Sequence, residues 1–156
     1  MNTREKQTGW HDMKTRLSAL WIFAILNYLY ADVLGLYDTA VIEGILSGSV
    51  GGIEFTPGFM LGAAVLMETA MIMVPLSLLL PYRANRWANI IAGIIHTTAV
   101  FSSMFFGTAP ELYYIFFGTI EIATTLLIIW FAWRWPKPEK SSNSVSLGQV
   151  EFGSKS

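Results

Sequence analysis

Four strongly polar residues lie near the centres of four apolar segments of this chain: Asn27, Glu68, His96 and Glu121. Asp32 adds a third carboxylate, closer to the end of the segment that contains Asn27. In lipid each central acid costs about 2.5–3.5 kcal/mol on insertion scales, so an acid kept there usually has a function. Glu68, Glu121 and His96 at one depth could share a proton and titrate as a unit. Such a group suits a proton relay or a pocket for a cation.

Helical spacing predicts which of these residues share a face. His96 falls on one stripe with Asn89, Gly93 and Ser103, and Glu121 on another with Gly118 and Thr125. On the first segment Asp32 shares a face with Tyr28 and Gly35, whereas Asn27 lies about 140° away around the helix. Asn27 therefore need not line the same cavity as Asp32, and it can equally serve as a hydrogen-bonding contact between helices.

Glu68 shares its helical face with Met71 and Pro75. A proline inside a helix leaves the carbonyl four residues earlier without its N–H partner, and here that carbonyl belongs to Met71. We expect this carbonyl either to accept the proton of a neutral Glu68 or to help bind a cation.

The elements that must position these groups are membrane-spanning helices. The chain has 156 residues, 53% hydrophobic and 13% charged, with a mean hydropathy of +0.48, which is typical of a membrane protein. Each apolar segment is near the roughly 20 residues that a spanning helix needs. The sequence predicts an all-α integral membrane four-helix bundle with spans at about 17–37, 58–80, 87–107 and 112–133. Thr56-Pro57 is expected to start the second span, and Thr108 with Glu111 to cap the fourth.

The basic residues predict the orientation of the bundle. All ten fall on one side of it: Arg4, Lys6, Lys14, Arg16, Arg83, Arg86, Arg134, Lys137, Lys140 and Lys155. The loops at 38–57 and 108–111 carry acids and no base. The positive-inside rule then predicts a multi-pass protein of a bacterial inner membrane with both termini in the cytoplasm. On this interpretation 1–16 is a basic cytoplasmic segment, 17–136 the bundle and 137–156 a polar, disordered tail, and Tyr113 and Tyr114 belong to an aromatic belt at the opposite interface.

Several kinds of chemistry have no support in this sequence. The chain lacks cysteine, which excludes disulfides and thiolate metal sites. It has no HExxH pair, phosphate-binding loop or nucleophile elbow, and no basic surface for nucleic acid. We therefore predict no metal, no cofactor and no nucleic-acid partner, and we assign no catalytic residue.

Three segments of the chain carry a resemblance to known proteins: LSALWIFAILNYLYADVLGLYD at 17–38, METAMIMVPLSLLLPYRANRWANI at 67–90 and YYIFFGTIEIATTLL at 113–127. Over about 15–136 the chain resembles a family of small bacterial four-helix membrane proteins of unknown function, which is loosely similar to DoxX-like proteins. Small multidrug-resistance transporters and emopamil-binding-type sterol isomerases are similar in architecture only.

Three functions remain open from these residues. The favoured hypothesis is that a polar midplane pocket binds a small cationic or amphipathic molecule, or moves it with proton coupling, through Asp32, Asn27, Glu68, His96 and Glu121. The first alternative is an assembly or accessory protein whose polar groups bind a partner helix, from a second copy or from another membrane protein. The second is an intramembrane isomerase in which an acid and a base act on a lipid-like substrate.

Overall fold

Five helices and one short hairpin make up the described part of the chain. The computed structural model describes residues 3–105 and 111–137, with side chains from residue 11 onward. The elements are α1 (Thr3–Gly35), α2 (Thr39–Ser47), β1 (Ser49–Val50), β2 (Ile53–Glu54), α3 (Pro57–Leu79), α4 (Tyr82–Ser103) and α5 (Leu112–Arg134). Most of the predicted polar tail, from residue 138 onward, lies outside the described residues.

Three of these helices are long and apolar enough to cross a membrane: His11–Gly35 within α1, α3 and α5. At 1.5 Å per residue, a helix of the length of α3 extends about 35 Å, enough to cross a hydrocarbon core about 30 Å thick. These helices indicate an integral membrane protein, and their packing on one another is compatible with a membrane bundle.

The helix limits differ from the predicted spans at two places. The first helix begins at Thr3 rather than near residue 17, because the basic segment contains no proline and continues the helix. The third predicted span, 87–107, begins earlier, at Tyr82, directly after Pro81.

The predicted start of α3 is confirmed, since the Thr56 side chain accepts a hydrogen bond from the Phe59 N–H and Pro57 occupies the first turn. Of the capping box predicted for α5, Thr108 lies outside the described residues, and Glu111 is the N-cap residue and makes no side-chain capping hydrogen bond.

Glycines shape the connection between α1 and α3. The β1–β2 hairpin pairs Ser49 with Glu54 and Val50 with Ile53, so Gly51 and Gly52 form its turn. Both have positive φ, as does Gly48, which ends α2, and glycine adopts this conformation at no steric cost. We name this end of the bundle the hairpin end. The opposite end, which carries Lys14, Arg83 and Arg134, is the basic end.

The four long helices pack around one core. α1 lies between α3 and α5, α4 packs most closely on α5, and α3 packs on α4 less extensively than on α1. Buried apolar side chains fill the half of the bundle toward the basic end: Leu17, Trp21, Ala70, Met73, Tyr82, Ala92, Ile128 and Trp135. The Tyr82 hydroxyl donates a hydrogen bond of 2.8 Å to the Trp135 carbonyl, which joins the start of α4 to the end of α5.

Candidate functional site

A cavity of about 180 Å³ lies between the helices in the half of the bundle toward the hairpin end. Leu66 and Met67 of α3 and Phe117 of α5 contribute apolar walls. The polar lining comes from α1, α4 and α5: Tyr28, Asp32, His96, Ser103, Tyr114 and Glu121. The cavity therefore combines hydrophobic walls with a few convergent polar groups, as small-molecule sites usually do.

His96 is the most deeply buried polar group of the cavity wall, with 1% of its surface exposed. Its Nδ1 lies 3.3 Å from the Tyr28 hydroxyl, and the two rings are stacked with centroids 5.7 Å apart. Trp21 contacts the imidazole with its ring edge at a centroid distance of 5.4 Å. The Leu66 carbonyl lies close enough to influence the ring, but no described group makes a hydrogen bond of normal geometry with Nε2. A buried nitrogen without a partner is costly, so a ligand that bonds to it would be stabilised.

Two acidic side chains, Asp32 and Glu121, lie in the wall of the cavity. Glu121 is buried, Asp32 lies in the wall nearer the hairpin end with its side chain exposed, and the two are close enough to repel each other. No lysine or arginine is among the described residues that line the cavity. Within the described ranges, no group of three or more His, Asp or Glu side chains is arranged to hold a metal ion. These two acids thus have no basic counter-charge among the described residues of the cavity wall.

Two hydroxyl groups join α4 to α5 at the hairpin end of the cavity. The Tyr114 hydroxyl donates a hydrogen bond of 2.7 Å to Ser103 Oγ, which in turn donates one of 2.8 Å to the Val100 carbonyl. Because each hydroxyl already has a hydrogen-bond partner, the rim of the cavity needs no ligand to satisfy these groups.

A buried hydrogen-bond network closes the cavity toward the basic end. Trp21 Nε1 donates to Asn89 Oδ1 at 2.8 Å, and the Ser77 hydroxyl donates to the same oxygen at 3.2 Å. Asn89 Nδ2 donates to the Asn85 side chain at 2.6 Å, and Asn85 Nδ2 donates to the Ser77 carbonyl at 2.6 Å. Together with the apolar core, this network fills the bundle between His96 and the basic end, and we name it the floor of the cavity.

The structure brings together three of the five predicted site residues. Asp32, His96 and Glu121 line one cavity. Asn27 is buried but donates to the Phe23 carbonyl of its own helix at 2.9 Å, and it does not line the cavity.

The structure contradicts the prediction that Glu68 lies beside His96 and Glu121. Its side chain is exposed on the outer surface of α3, and it does not reach His96 or Glu121. At 100° per residue Glu68 lies about 180° from Ser77, which is fully buried against α4. The shared proton among Glu68, His96 and Glu121 therefore has no geometric basis in this chain.

Two side chains of the cavity received other roles in the sequence interpretation. The sequence predicts Tyr114 in an aromatic belt and places Tyr28 on the same helical face as Asp32. The helical pattern contains the missing signal for Tyr114, because it precedes Gly118 by four residues and Glu121 by seven and so shares their face.

Residues 5–142 match the model of a family of unknown function, DUF6326, and the chain belongs to that family. The resemblance to a family without an assigned activity is confirmed to this extent. No curated protein and no solved structure matches the chain. The likeness to DoxX-like proteins stays a prediction.

Proposed function

We propose that this protein binds a small cationic molecule in the cavity between Asp32 and Glu121. The observation that carries the proposal is the composition of the cavity: its wall contains two acidic side chains, Asp32 and Glu121, and no described basic side chain. Like charges close together in a low-dielectric site are unfavourable, and a bound cation relieves that repulsion. The Tyr28, Tyr114 and Phe117 rings add surfaces that attract cations through their π faces.

The volume of the cavity limits the size of the ligand. An apolar cavity of about 150 Å³ admits benzene, whereas drug-sized ligands occupy about 300–1,000 Å³. At about 180 Å³, the cavity suits a cation near the size of one substituted aromatic ring. This size also weighs against the isomerase hypothesis, because a lipid-like substrate would need a much larger site.

The closed floor of the cavity favours binding over passage. A ligand that crossed the membrane would have to open the network of Trp21, Asn89 and Ser77, whose members are fully buried and hydrogen-bonded to one another. Proton-coupled movement is thus a further step that would need a second conformation.

We also propose that α4 is a fourth span, which places both termini in the cytoplasm. Its low average hydropathy arises from Arg83 and Arg86 in its first turns and from Asn85, Asn89 and His96, which are buried inside the bundle. Its exposed face carries Ile91, Ile94, Ile95 and Phe101, so the surface that would meet lipid is apolar. With four spans, every basic residue lies at one end, as the positive-inside rule requires.

Calorimetric titration of the detergent-solubilised protein tests the binding proposal, with benzylammonium as probe and benzyl alcohol as its neutral counterpart. We expect the wild type to prefer the cation, and Asp32→Asn or Glu121→Gln to weaken its binding at least about tenfold. Glu68→Gln is the matched control, since it neutralises an acid outside the cavity and should leave the affinity unchanged. Equal binding of the two probes, or an equal loss in the control variant, would reject the proposal.

The same titration in two buffers of different ionisation enthalpy tests proton coupling. A carboxyl that releases its proton when the cation binds makes the observed enthalpy depend on the buffer. A buffer-independent enthalpy would support binding to carboxylates that are already charged and would remove proton coupling from the mechanism.

A further inference from the structure

Basic side chains from two distant parts of the chain meet where the start of α4 packs on the end of α5. The hydrogen bond from Tyr82 to the Trp135 carbonyl joins these two helix ends, and their rings make an edge contact at a centroid distance of 5.5 Å. The Arg86 guanidinium also lies 5.7 Å from the centre of the Trp133 ring. We name the basic side chains of this seam the α4–α5 patch: Arg83, Arg86, Arg134 and Lys137.

The protein does not neutralise the charge of the α4–α5 patch. Neither 81–87 nor 130–137 contains an acid, and no described carboxylate forms an ion pair with a member of the patch. The Nε atom of Arg86 is buried and has no hydrogen-bond partner among the described residues. Arginine stays charged in proteins, and a buried charged donor without an acceptor is costly. The patch therefore lacks an anionic acceptor.

The α4–α5 patch lies at the depth of lipid headgroups. α5 is long and apolar enough to cross a membrane and ends at Arg134, so the patch is situated where a spanning helix leaves the hydrocarbon core. Tryptophans favour this interfacial region. Three of them lie in the same segments with more than half of their surface exposed: Trp87, Trp130 and Trp133. This placement does not depend on whether α4 also crosses the membrane.

We propose that the α4–α5 patch binds the headgroup phosphate of an anionic phospholipid. The planar guanidinium fork matches two phosphate oxygens, and the free Nε–H of Arg86 is one arm of such a fork. The Trp133 ring holds this guanidinium at the surface of the seam. Arg83 and Lys137, both exposed, supply further positive charge to the same headgroup.

The helix surfaces next to the patch fit the acyl chains of the same lipid. Ile91 and Ile94 follow Trp87 at helical spacing on α4, and Leu126 and Leu127 precede Trp130 on α5. All four aliphatic side chains are exposed. A free phosphate ion would satisfy the arginines but would leave these apolar surfaces uncovered. A zwitterionic lipid would bring its own cation close to the patch, so the charge favours an anionic headgroup.

Lipid titration of the detergent-solubilised protein tests the proposal, with phosphatidylglycerol and phosphatidylcholine of identical acyl chains as probes. Because a ligand of the folded state raises the Tm, the Tm at each lipid content of the micelles gives a binding curve. We expect a saturable rise with phosphatidylglycerol and a much smaller one with phosphatidylcholine. Arg86→Gln should need at least about tenfold more phosphatidylglycerol for half of the effect.

Three further variants make this test specific. Arg86→Lys keeps the charge but loses Nε and the planar fork, so we expect it to weaken the effect as well. Arg83→Gln changes an exposed side chain and tests the patch if Arg86→Gln does not fold. Lys14→Gln is the matched control, because Lys14 donates to the Leu78 carbonyl on the α1–α3 side of the basic end. It removes one positive charge and should leave the phosphatidylglycerol curve at the same midpoint.

Four outcomes would each overturn the proposal: equal effects of the two lipids, the same effect from inorganic phosphate, an equal loss in Lys14→Gln, or full affinity in Arg86→Lys. The last would show a general attraction of charge in place of a phosphate site. Unchanged circular dichroism shows that each variant is folded. The patch lies at the basic end and the cavity toward the hairpin end, so this result is independent of benzylammonium binding.

Discussion

The Tyr28 hydroxyl lies 3.3 Å from Nδ1 of His96, and the two rings stack with centroids 5.7 Å apart. The pair joins α1 to α4 across the bundle, although these helices share few backbone contacts. Trp21 contacts the same imidazole with its ring edge, and its Nε1 donates a hydrogen bond to Asn89 Oδ1. The His96 ring is thus held between the Tyr28 and Trp21 rings in the wall of the cavity.

Replacing Tyr28 with phenylalanine should destabilise the protein while keeping the ring contact. The variant leaves Nδ1 of a buried imidazole without its hydrogen bond, at a cost of about 1–3 kcal/mol. We expect the Tm in detergent to fall by several degrees, measured by intrinsic fluorescence. Tyr30→Phe is the control, because the Tyr30 side chain is exposed and its described contact is a ring contact with Phe117. Equal Tm values for wild type and Tyr28→Phe would show that the hydrogen bond contributes nothing.

Two of the buried asparagines, Asn89 and Asn27, should differ in their contribution to stability. Asn89→Leu removes the acceptor of Trp21 and Ser77 together with the donor to Asn85, leaving several buried polar atoms unsatisfied. Asn27→Leu removes one bond within its own helix, whose carbonyl keeps its backbone partner.

We expect a loss of at least about 2 kcal/mol for Asn89→Leu and less than about 1 kcal/mol for Asn27→Leu. Denaturant unfolding in mixed micelles measures both variants under one condition. Similar losses for the two would contradict the assignment of the floor to the Asn89 network.

The rotation of each helix explains which parts of the site the sequence could predict. On α4, Asn89, Gly93 and His96 form a polar and small stripe among isoleucines, so the buried face follows from spacing. On α3 almost every residue is apolar, and a helix without an amphipathic pattern does not reveal which side meets its neighbours. The charge of Glu68 predicts an inward position, but Ala70, Met73 and Ser77 occupy the buried side of α3, so Glu68 faces outward.

The sequence could not predict the hydrogen bonds of the floor, for a different reason. Trp21 and Asn89 are distant in the chain, and their contact depends on the crossing of α1 and α4 to within an ångström or so. Spacing places residues on faces but does not set interhelical distances. The positions of the long helices, in contrast, follow directly from apolar length and from residues such as Pro57 and Pro81.

A methyl group at Gly93 should disturb the packing of α4 on α5. A Cβ there would lie 2.7 Å from Ile129 Cγ1 and 3.4 Å from the Thr125 carbonyl oxygen, so the backbones would have to separate. We expect Gly93→Ala to lower stability by about 1–3 kcal/mol. Gly118→Ala is the comparison, because its Cβ would overlap only the terminal methyl of Met104, a flexible side chain that can move. Thermal unfolding of both variants measures the difference. An equal decrease in Tm for Gly93→Ala and Gly118→Ala would refute the close contact at Gly93.

Cysteine accessibility in spheroplasts should reveal the number of spans. Four spans place Leu46 outside and both Arg83 and Lys137 in the cytoplasm, and all three side chains are exposed. With a membrane-impermeant maleimide, we expect Leu46→Cys to react in intact cells, and Arg83→Cys and Lys137→Cys to react only after permeabilisation. Lys137 is the decisive position, since a chain in which α4 does not cross would bring the end of α5 to the same side as Leu46. Labelling of Lys137→Cys in intact cells would therefore replace the four-span topology with a three-span one.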